Sequence, residues 1–415
     1  MKKKIFVRAP CLSQSGYGEQ SRFALRALRS REDLFDVYIQ PIPWGQTGWI
    51  WQDSEFRQWM DKRIVETQIL LQNKQLQPDI SLQITIPNEF QKIAPVNIGY
   101  TAGIETTKVA PVWLQKGNEE VDKILVVSQH AKDTYENTIA QAKTPDGQTI
   151  PYKLQTPIEV VWENTPMPQE SEAIEGFEPP CDFNFLVVSQ MGPRKNFANT
   201  IKWFVEEFID QEVGLIVKTN MKGNSIIDRV ATERTLSNVL KGYPDRKCKV
   251  SLLHGDLSDS QMRGLYEHHK IKALINISHG EGFGLPMFES ARYGLPVITI
   301  GWSGQLDFLR HDGKDYFTEV ESTLQPVQKE AHWNGVIQPD SMWAFADQGS
   351  YKMSLRKVKN NYEEVLNLAQ ELKTIVNEKF SDEVLYELFC ANFIDNEFDV
   401  ESWLADIEDS VVESE

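Results

Sequence analysis

Residues His279–Thr299 read HGEGFGLPMFESARYGLPVIT, and an uncharged run, Ala273-Leu-Ile-Asn-Ile-Ser278, leads straight into them. The run predicts a strand buried on both faces. Three glycines follow at Gly280, Gly282 and Gly284, then a helix predicted from near Pro286 to Gly294 and a second strand over Pro296–Ile300. Glycine lets a backbone approach a ligand closely, and the free N–H groups of a helix N-terminus suit a phosphate. Glu281 and Glu289 flank the turn, and carboxylates accept hydrogen bonds from hydroxyls. Phosphate plus hydroxyls describes a nucleotide sugar. Such turns also close connections in α/β proteins that bind nothing, so the rest of the chain has to decide.

At 415 residues the chain suits two domains, and its 41% hydrophobic and 25% charged residues are those of an ordinary globular protein. The start, MKKKIFVRAP, predicts a first strand rather than a signal peptide, and no apolar run is long enough to span a bilayer. Four scattered cysteines lack metal spacing and predict reduced thiols in a cytoplasmic protein. The formal charge of −17 is uneven: Ser381–Glu415 holds twelve Asp/Glu and no Lys/Arg, which leaves about −5 on the other 380 residues. A basic groove elsewhere therefore stays open. The apolar residues interleaved in that tail (Phe393, Phe398, Trp403, Leu404, Ile407) predict that much of it docks as helix.

Upstream, Ile5–Arg8 predicts a strand, Ser13-Gln-Ser-Gly-Tyr-Gly18 a glycine loop, and Phe23, Leu25 and Leu28 a helix. This is half of a nucleotide-binding unit without its third glycine. Further strands are predicted at Phe35–Gln40, Asp79–Thr85, Val96–Ala102, Val121–Ser128 and Ile158–Trp162. A loop between them carries Trp44, Trp49 and Trp51, with Trp59 beyond; such aromatics stack on sugar rings or bases, or pack as a lid on the domain's own core, and the lid is the reading taken. Glu105 follows a strand whose carboxyl end faces a cleft in open α/β sheets. Residues 143–157 predict a loop or hairpin insertion, and the Pro/Glu-rich stretch 166–182 a linker. A second series of strands follows at Phe183–Gln190, Val213–Thr219 and Lys249–His254, with Arg194 and Lys195 after the first of them. Basic residues at a helix start oppose its dipole and so point to a bound anion. Apolar positions over Met353–Lys379 predict one long helix.

Glu281 through Glu289 resemble, position by position, the E-x7-E region of retaining GT-B glycosyltransferases of the glycogen-synthase and sucrose-synthase-like group, which commonly reads EGFGLP-x-x-E-A; Ser290 replaces the alanine. Lys195 matches the lysine of that group's G-R-x-x-P-x-K segment, Gln190 stands at its arginine, and Arg194 is read as the substitute. The N-G-V-D marker is absent: the chain reads Glu163-Asn-Thr-Pro. The resemblance covers most of residues 10–380. It implies an α/β GT-B fold: two Rossmann-like domains facing across a cleft, residues 1–165 on the acceptor side and 183–350 on the nucleotide-sugar side, with C-terminal helices in 351–415 returning to the first domain. It implies retaining transfer from a UDP- or GDP-sugar to a hydroxyl acceptor. Lys195, Arg194 and the N–H groups after Glu281 (Gly282, Phe283, Gly284, Leu285) would hold the leaving diphosphate. Glu281 would hold sugar hydroxyls, Glu289 the ribose, Gly255 and Leu257 the base, and Gly16 and Gly18 would reach the diphosphate from the facing domain.

No Asp-x-Asp occurs in the chain, so no metal and no cofactor beyond the nucleotide sugar is expected. P-loop, GxSxG and HExxH motifs are also missing, which removes the commonest NTPase, hydrolase and zinc-protease readings. Glu105 and His130 are the acceptor-side candidates. The acceptor itself stays open among saccharide, lipid, protein and small molecule. Two further readings are a hydroxymethylated nucleic-acid base as acceptor and a non-catalytic sugar-nucleotide binder.

Overall fold

The computed structural model describes residues 2–51 and 53–394. The predicted docking of Phe398, Trp403, Leu404 and Ile407 lies outside them. The first half holds β1 (Lys3–Ala9), α1 (Gly16–Ser30), β2 (Phe35–Pro41), α2 (Glu55–Gln72), β3 (Ile80–Ile84), β4 (Val96–Thr101), α3 (Pro111–Glu120), β5 (Lys123–Val126), α4 (Gln129–Asn137), an antiparallel hairpin of β6 (Ala140–Lys143) and β7 (Thr149–Tyr152), and β8 (Ile158–Val160). The second holds β9 (Asn184–Val188), α5 (Phe197–Glu207), β10 (Gly214–Lys218), α6 (Ile226–Leu240), β11 (Lys249–Leu253), α7 (Asp259–Tyr266), β12 (Ile271–Asn276), α8 (Leu285–Tyr293), β13 (Val297–Ile300), α9 (Leu306–Leu309), the short pair β14 (Arg310–His311) and β15 (Lys314–Asp315), and β16 (Thr318–Val320). Last come the hairpin β17 (Ser322–Pro326) and β18 (Met342–Ala346), then α10 (Gln348–Asn360), α11 (Tyr362–Lys379) and α12 (Asp382–Ala391).

Two six-stranded sheets result, ordered β2-β1-β3-β4-β5-β8 and β11-β10-β9-β12-β13-β16, with parallel pairing throughout both. Strand order reverses beside β1 in one sheet and beside β9 in the other. Open parallel sheets bind ligands at the carboxyl ends next to that reversal. Lys195 follows β9, Glu281 follows β12, Gly16 follows β1 and Glu105 follows β4. The apolar runs that predict the strands are buried as expected, with Ile124, Leu125, Val126 and Val127 without solvent exposure.

The C-terminal helices divide between the halves. α11 packs against α8, and α12 packs against α1. Phe389 lies 5.7 Å from Phe23 and 5.6 Å from Tyr100, and Phe393 lies 6.2 Å from Phe35. Burying each such ring contributes about 1.5–3 kcal/mol, enough to fasten the chain end to the first sheet. The stretch 166–182 is laid along α7, where Arg263 donates to the carbonyls of Pro168 and Gln169 and Glu172 N–H donates to Ser260 O.

Two expectations are corrected. The long helix over Met353–Lys379 is two helices, α10 and α11, broken at Asn361 with φ −120° and ψ 40°. Asn competes with helix through local hydrogen bonds. The break also lets Lys357 and Lys359 close one helix and Glu363 and Glu364 open the next, each favourable to its dipole. The tryptophan lid holds only in part: Trp44 packs against Tyr17 at 4.3 Å and Trp59 donates to Glu32, but Trp49 is 66% and Trp51 92% exposed. All four cysteines are free thiols.

Candidate active site

Local sequence builds the turn after β12. Gly284 caps α8 at φ +101°, Pro286 sits in the first turn, and Gly294 ends the helix at φ +75°. Within the turn Glu281 is 5% exposed, and its carboxylate is filled by protein donors. Oε1 accepts from Lys195 Nζ at 2.6 Å, Ser278 Oγ at 2.8 Å and Asn276 Nδ2 at 3.2 Å, and Oε2 accepts from Arg194 Nη1 at 2.7 Å. Arg194 Nη1 also donates to Gly280 O at 2.6 Å, and Arg194 Nη2 reaches Glu105 Oε1 of the first domain at 3.3 Å. Four charges thus alternate across the cleft. Burial by itself would raise the Glu281 carboxyl, but Lys195 and Arg194 outweigh it and hold the group well below the usual carboxylate range. Burial works against the Arg194 guanidinium too, and Glu105 and Glu281 reverse it upward.

Gln190, at the resemblance's arginine position, donates to Met221 O, so Arg194 is the guanidinium that meets Glu281. Lys195 is followed by Asn196 in the left-handed region, φ 50°, which turns the chain from a 3-10 turn into α5. The loop Trp302-Ser-Gly-Gln305 supports Glu281 from behind. Ser303, at φ +84°, accepts from Glu281 N–H at 2.9 Å and donates to Gln305 Oε1 at 2.7 Å. Asn276, Ser278 and Ser303 were not singled out by the sequence. A positive φ at a serine has no sequence signal.

Two of the glycines also have a close neighbour in the first domain. A Cβ at Gly280 would lie 2.5 Å from Glu105 O, and one at Gly282 would lie 2.3 Å from Ala102 O. Both glycines admit the backbone of the first domain. Phe283 is buried against Phe288, Phe308 and Phe380 and is a core residue, with Leu285 half-buried beside it. Across the cleft, Gly16 is the exposed first residue of α1 with open space around it. Gly18 is buried, and its N–H donates to the cap Ser15 Oγ at 3.1 Å. A Cβ at Gly18 would lie 2.0 Å from Ser13 O. In this structure the Gly18 amide caps the helix through Ser15. Gly255, at φ +113°, faces open space, and its carbonyl accepts from Lys218 Nζ at 2.7 Å. Leu257 is half-buried against the core.

Glu289 sits one face of α8 away, in an acidic setting. Tyr266 Oη donates to its Oε2 at 2.7 Å. Burial first, then the charges of Glu19 and Asp259, push the carboxyl up to about 7 against the help of that hydroxyl. His130 packs edge-on to Trp302 of the other domain at 4.8 Å, its Nε2 buried without a hydrogen-bond partner. Burial pulls its imidazole down to about 4, so it is neutral at pH 7. The structure thus brings Glu105, Arg194, Lys195 and Glu281 together, sets His130 against the same loop as Ser303, and leaves Glu289 in a separate group.

Two parallel six-stranded sheets, helices on their faces and a charged cluster between their carboxyl ends define the GT-B architecture of two Rossmann-like domains. Solved structures agree. Sucrose-phosphate synthase from Thermosynechococcus elongatus matches with TM-score 0.62 at 12% identity, over 94% of this chain and 98% of that one. Anabaena Alr3699/HepE, solved with UDP and glucose, matches with TM-score 0.57 at 11% identity, over 95% and 100%. In sequence, the chain is 29% identical to the serotype-specific mannosyltransferase WbdA of Escherichia coli over 196 residues, 45% of this chain. The match spans only 22% of that relative's length. No protein-family model matches the chain. Among the described residues, no helix is long and apolar enough to cross a membrane and no cluster of His, Cys, Asp or Glu could hold a metal ion.

Proposed function

We propose that the protein is a glycosyltransferase that moves a sugar from a nucleotide-sugar donor to a hydroxyl acceptor, with retention and without a metal. The observation that carries this is the Glu105–Arg194–Glu281–Lys195 cluster between the two sheets. Its two cations are balanced by carboxylates. An arriving diphosphate can take over from Glu105 as the partner of Arg194 without leaving a buried charge unpaired. Cations fixed beside the leaving diphosphate stabilise the charge that develops as the glycosidic bond breaks. Glu281 holds both cations in place. The resemblance supplies the finer reading: retention, with the leaving phosphate taking the acceptor proton. Metal independence rests on the missing Asp-x-Asp together with this cation pair. A cytoplasmic site of action is part of the same proposal.

The mannosyltransferase relatives place mannosyl donors first in a screen. Hydrolysis and calorimetry with GDP-, UDP- and ADP-sugars, with and without EDTA, test the reading. Turnover of one donor, unchanged by EDTA and giving product with the donor's anomeric configuration, is expected. No binding and no turnover with any donor overturns it. Mass analysis of products formed with candidate acceptors then identifies the hydroxyl.

A further inference from the structure

His279 precedes the catalytic turn and is 3% exposed. Its N–H donates to Arg194 O at 2.8 Å, and its carbonyl accepts from Ala344 N–H at 2.9 Å. Its Nδ1 lies 2.7 Å from Ala344 O, and its Nε2 3.2 Å from Gln328 Nε2. A carbonyl only accepts, so Nδ1 carries the proton; Nε2 then accepts from the Gln328 amide. One neutral tautomer satisfies both contacts, and burial, with Arg194 nearby, favours the neutral ring. Trp343 stacks on the imidazole at 5.0 Å and 15°, and Phe345 packs against it at 4.4 Å.

The partners Ala344 and Gln328 belong to neither sheet. They sit on the β17–β18 hairpin and the strap joining its strands. The same strap grips the first domain beside Glu105. Met342 and Thr107 exchange two hydrogen bonds, Lys108 pairs with Asp340 at 2.7 Å, and Val336 joins the cluster of Val109, Ala110 and Trp113. A single residue therefore ties together the turn bearing Arg194 and Lys195 through its backbone N–H, and the strap that fixes the loop of Glu105 through its carbonyl and its imidazole, just before the turn bearing Glu281.

We infer that His279 is a positioning residue for the transfer reaction, holding Arg194 and Glu281 in register through its Nδ1–H bond to Ala344 in the 322–346 strap. The role rests on the glycosyltransferase reading above. A misplacement of about 1 Å at a reacting centre costs about 100-fold in rate. His279→Leu should therefore lower kcat about 100-fold while nucleotide affinity stays within about threefold. His279→Asn keeps a donor at the Nδ1 position and should stay within about fivefold of wild type, whereas His279→Gln places its amide at the Nε2 position and should fall with the leucine variant. If His279→Leu does not fold, the Asn/Gln contrast carries the test: kcat differing at least about tenfold, with equal nucleotide Kd and equal melting temperature, supports the role. Equal kcat for Asn and Gln, or losses in nucleotide Kd that match those in kcat, overturns it while wild type remains an active transferase. A wild type that neither binds nor turns over any nucleotide sugar overturns the transferase reading and this role with it.

Discussion

Glu281 and Glu289 lie eight residues apart on one turn and helix, yet their surroundings are opposite. Glu281 sits among Lys195, Arg194, Ser278 and Asn276, all donors. Glu289 sits near Glu19 and Asp259, with one neutral donor in Tyr266. One carboxyl is held well below its ordinary range and the other is pushed up to about 7. Pairs of like groups driven apart by environment mark a division of labour. The first is a permanent anion that anchors cations. The second is raised to about 7, and in the proposed transferase it accepts from a ligand's hydroxyls once ionised. The motif alone contains none of this. It arises because β9 and α1 bring different charges to the two ends of the same segment.

Breaking the first environment should give the largest effect. Glu281→Gln leaves Lys195 buried beside a neutral amide and Arg194 with Glu105 alone. Removing one partner from a buried ion cluster costs about 3–5 kcal/mol, which a urea melt reads directly. Turnover of the donor should fall about 100- to 1000-fold, as when a preorganised charge contact is lost. The double variant Glu281→Gln, Lys195→Gln sharpens the comparison: it should regain much of the stability and none of the turnover. If it regains both, the cluster is structural only.

Glu289→Gln should cost less and depend on pH. A carboxylate hydrogen bond to a ribose hydroxyl contributes about 1.5–3 kcal/mol, so nucleotide Kd should weaken about tenfold or more at pH 8. In wild type that affinity should rise with pH through about 7, as the group ionises, and the variant should show no such rise. Stability runs the other way. The folded value of about 7 lies above the ordinary 4.5, so the stability linked to this group is fully present below 4.5 and is lost as pH rises through 7. The glutamine variant escapes that loss and should melt higher than wild type at pH 8, by up to about 3 kcal/mol of stability, and equally at pH 4. Parallel pH curves for the two proteins would remove Glu289 from its strained setting.

The architecture was legible because parallel strands buried on both faces leave uninterrupted apolar runs, as at Ile124–Val127, and because Pro286 and Gly294 bracket a helix by their backbone chemistry. The break at Asn361 had a local signature, Lys357 and Lys359 before it and Glu363 and Glu364 after it, that apolar periodicity overrode. The partners of the site residues were less legible. Nothing in a one-dimensional reading of Gly280 and Gly282 shows that a Cβ there would meet Glu105 O and Ala102 O, which the chain delivers from some 180 residues upstream. Gly18 looks like Gly16, and only the cap at Ser15 distinguishes their amides. The 322–346 strap carries one isolated glycine, Gly335, and no recognisable motif, so its grip on His279 emerges only when the hairpin is folded across the domain boundary.

The finest test separates the two carboxylates without touching either. Tyr266 Oη donates to ionised Glu289 and so lowers its pKa against burial and the neighbouring acids. Tyr266→Phe removes that donor and nothing near Glu281. A lost hydrogen bond to a charged group is worth about 1.5 kcal/mol, or about one pH unit. The rise in nucleotide affinity should therefore shift about one unit to higher pH, with a stability loss of about 1.5 kcal/mol where Glu289 is ionised. The dependence of kcat on pH should not move, because Glu281 stays ionised far below that range. A shift of both profiles together would mean that the two ends of the segment titrate as one system. The opposition between their surroundings would then not translate into separate roles.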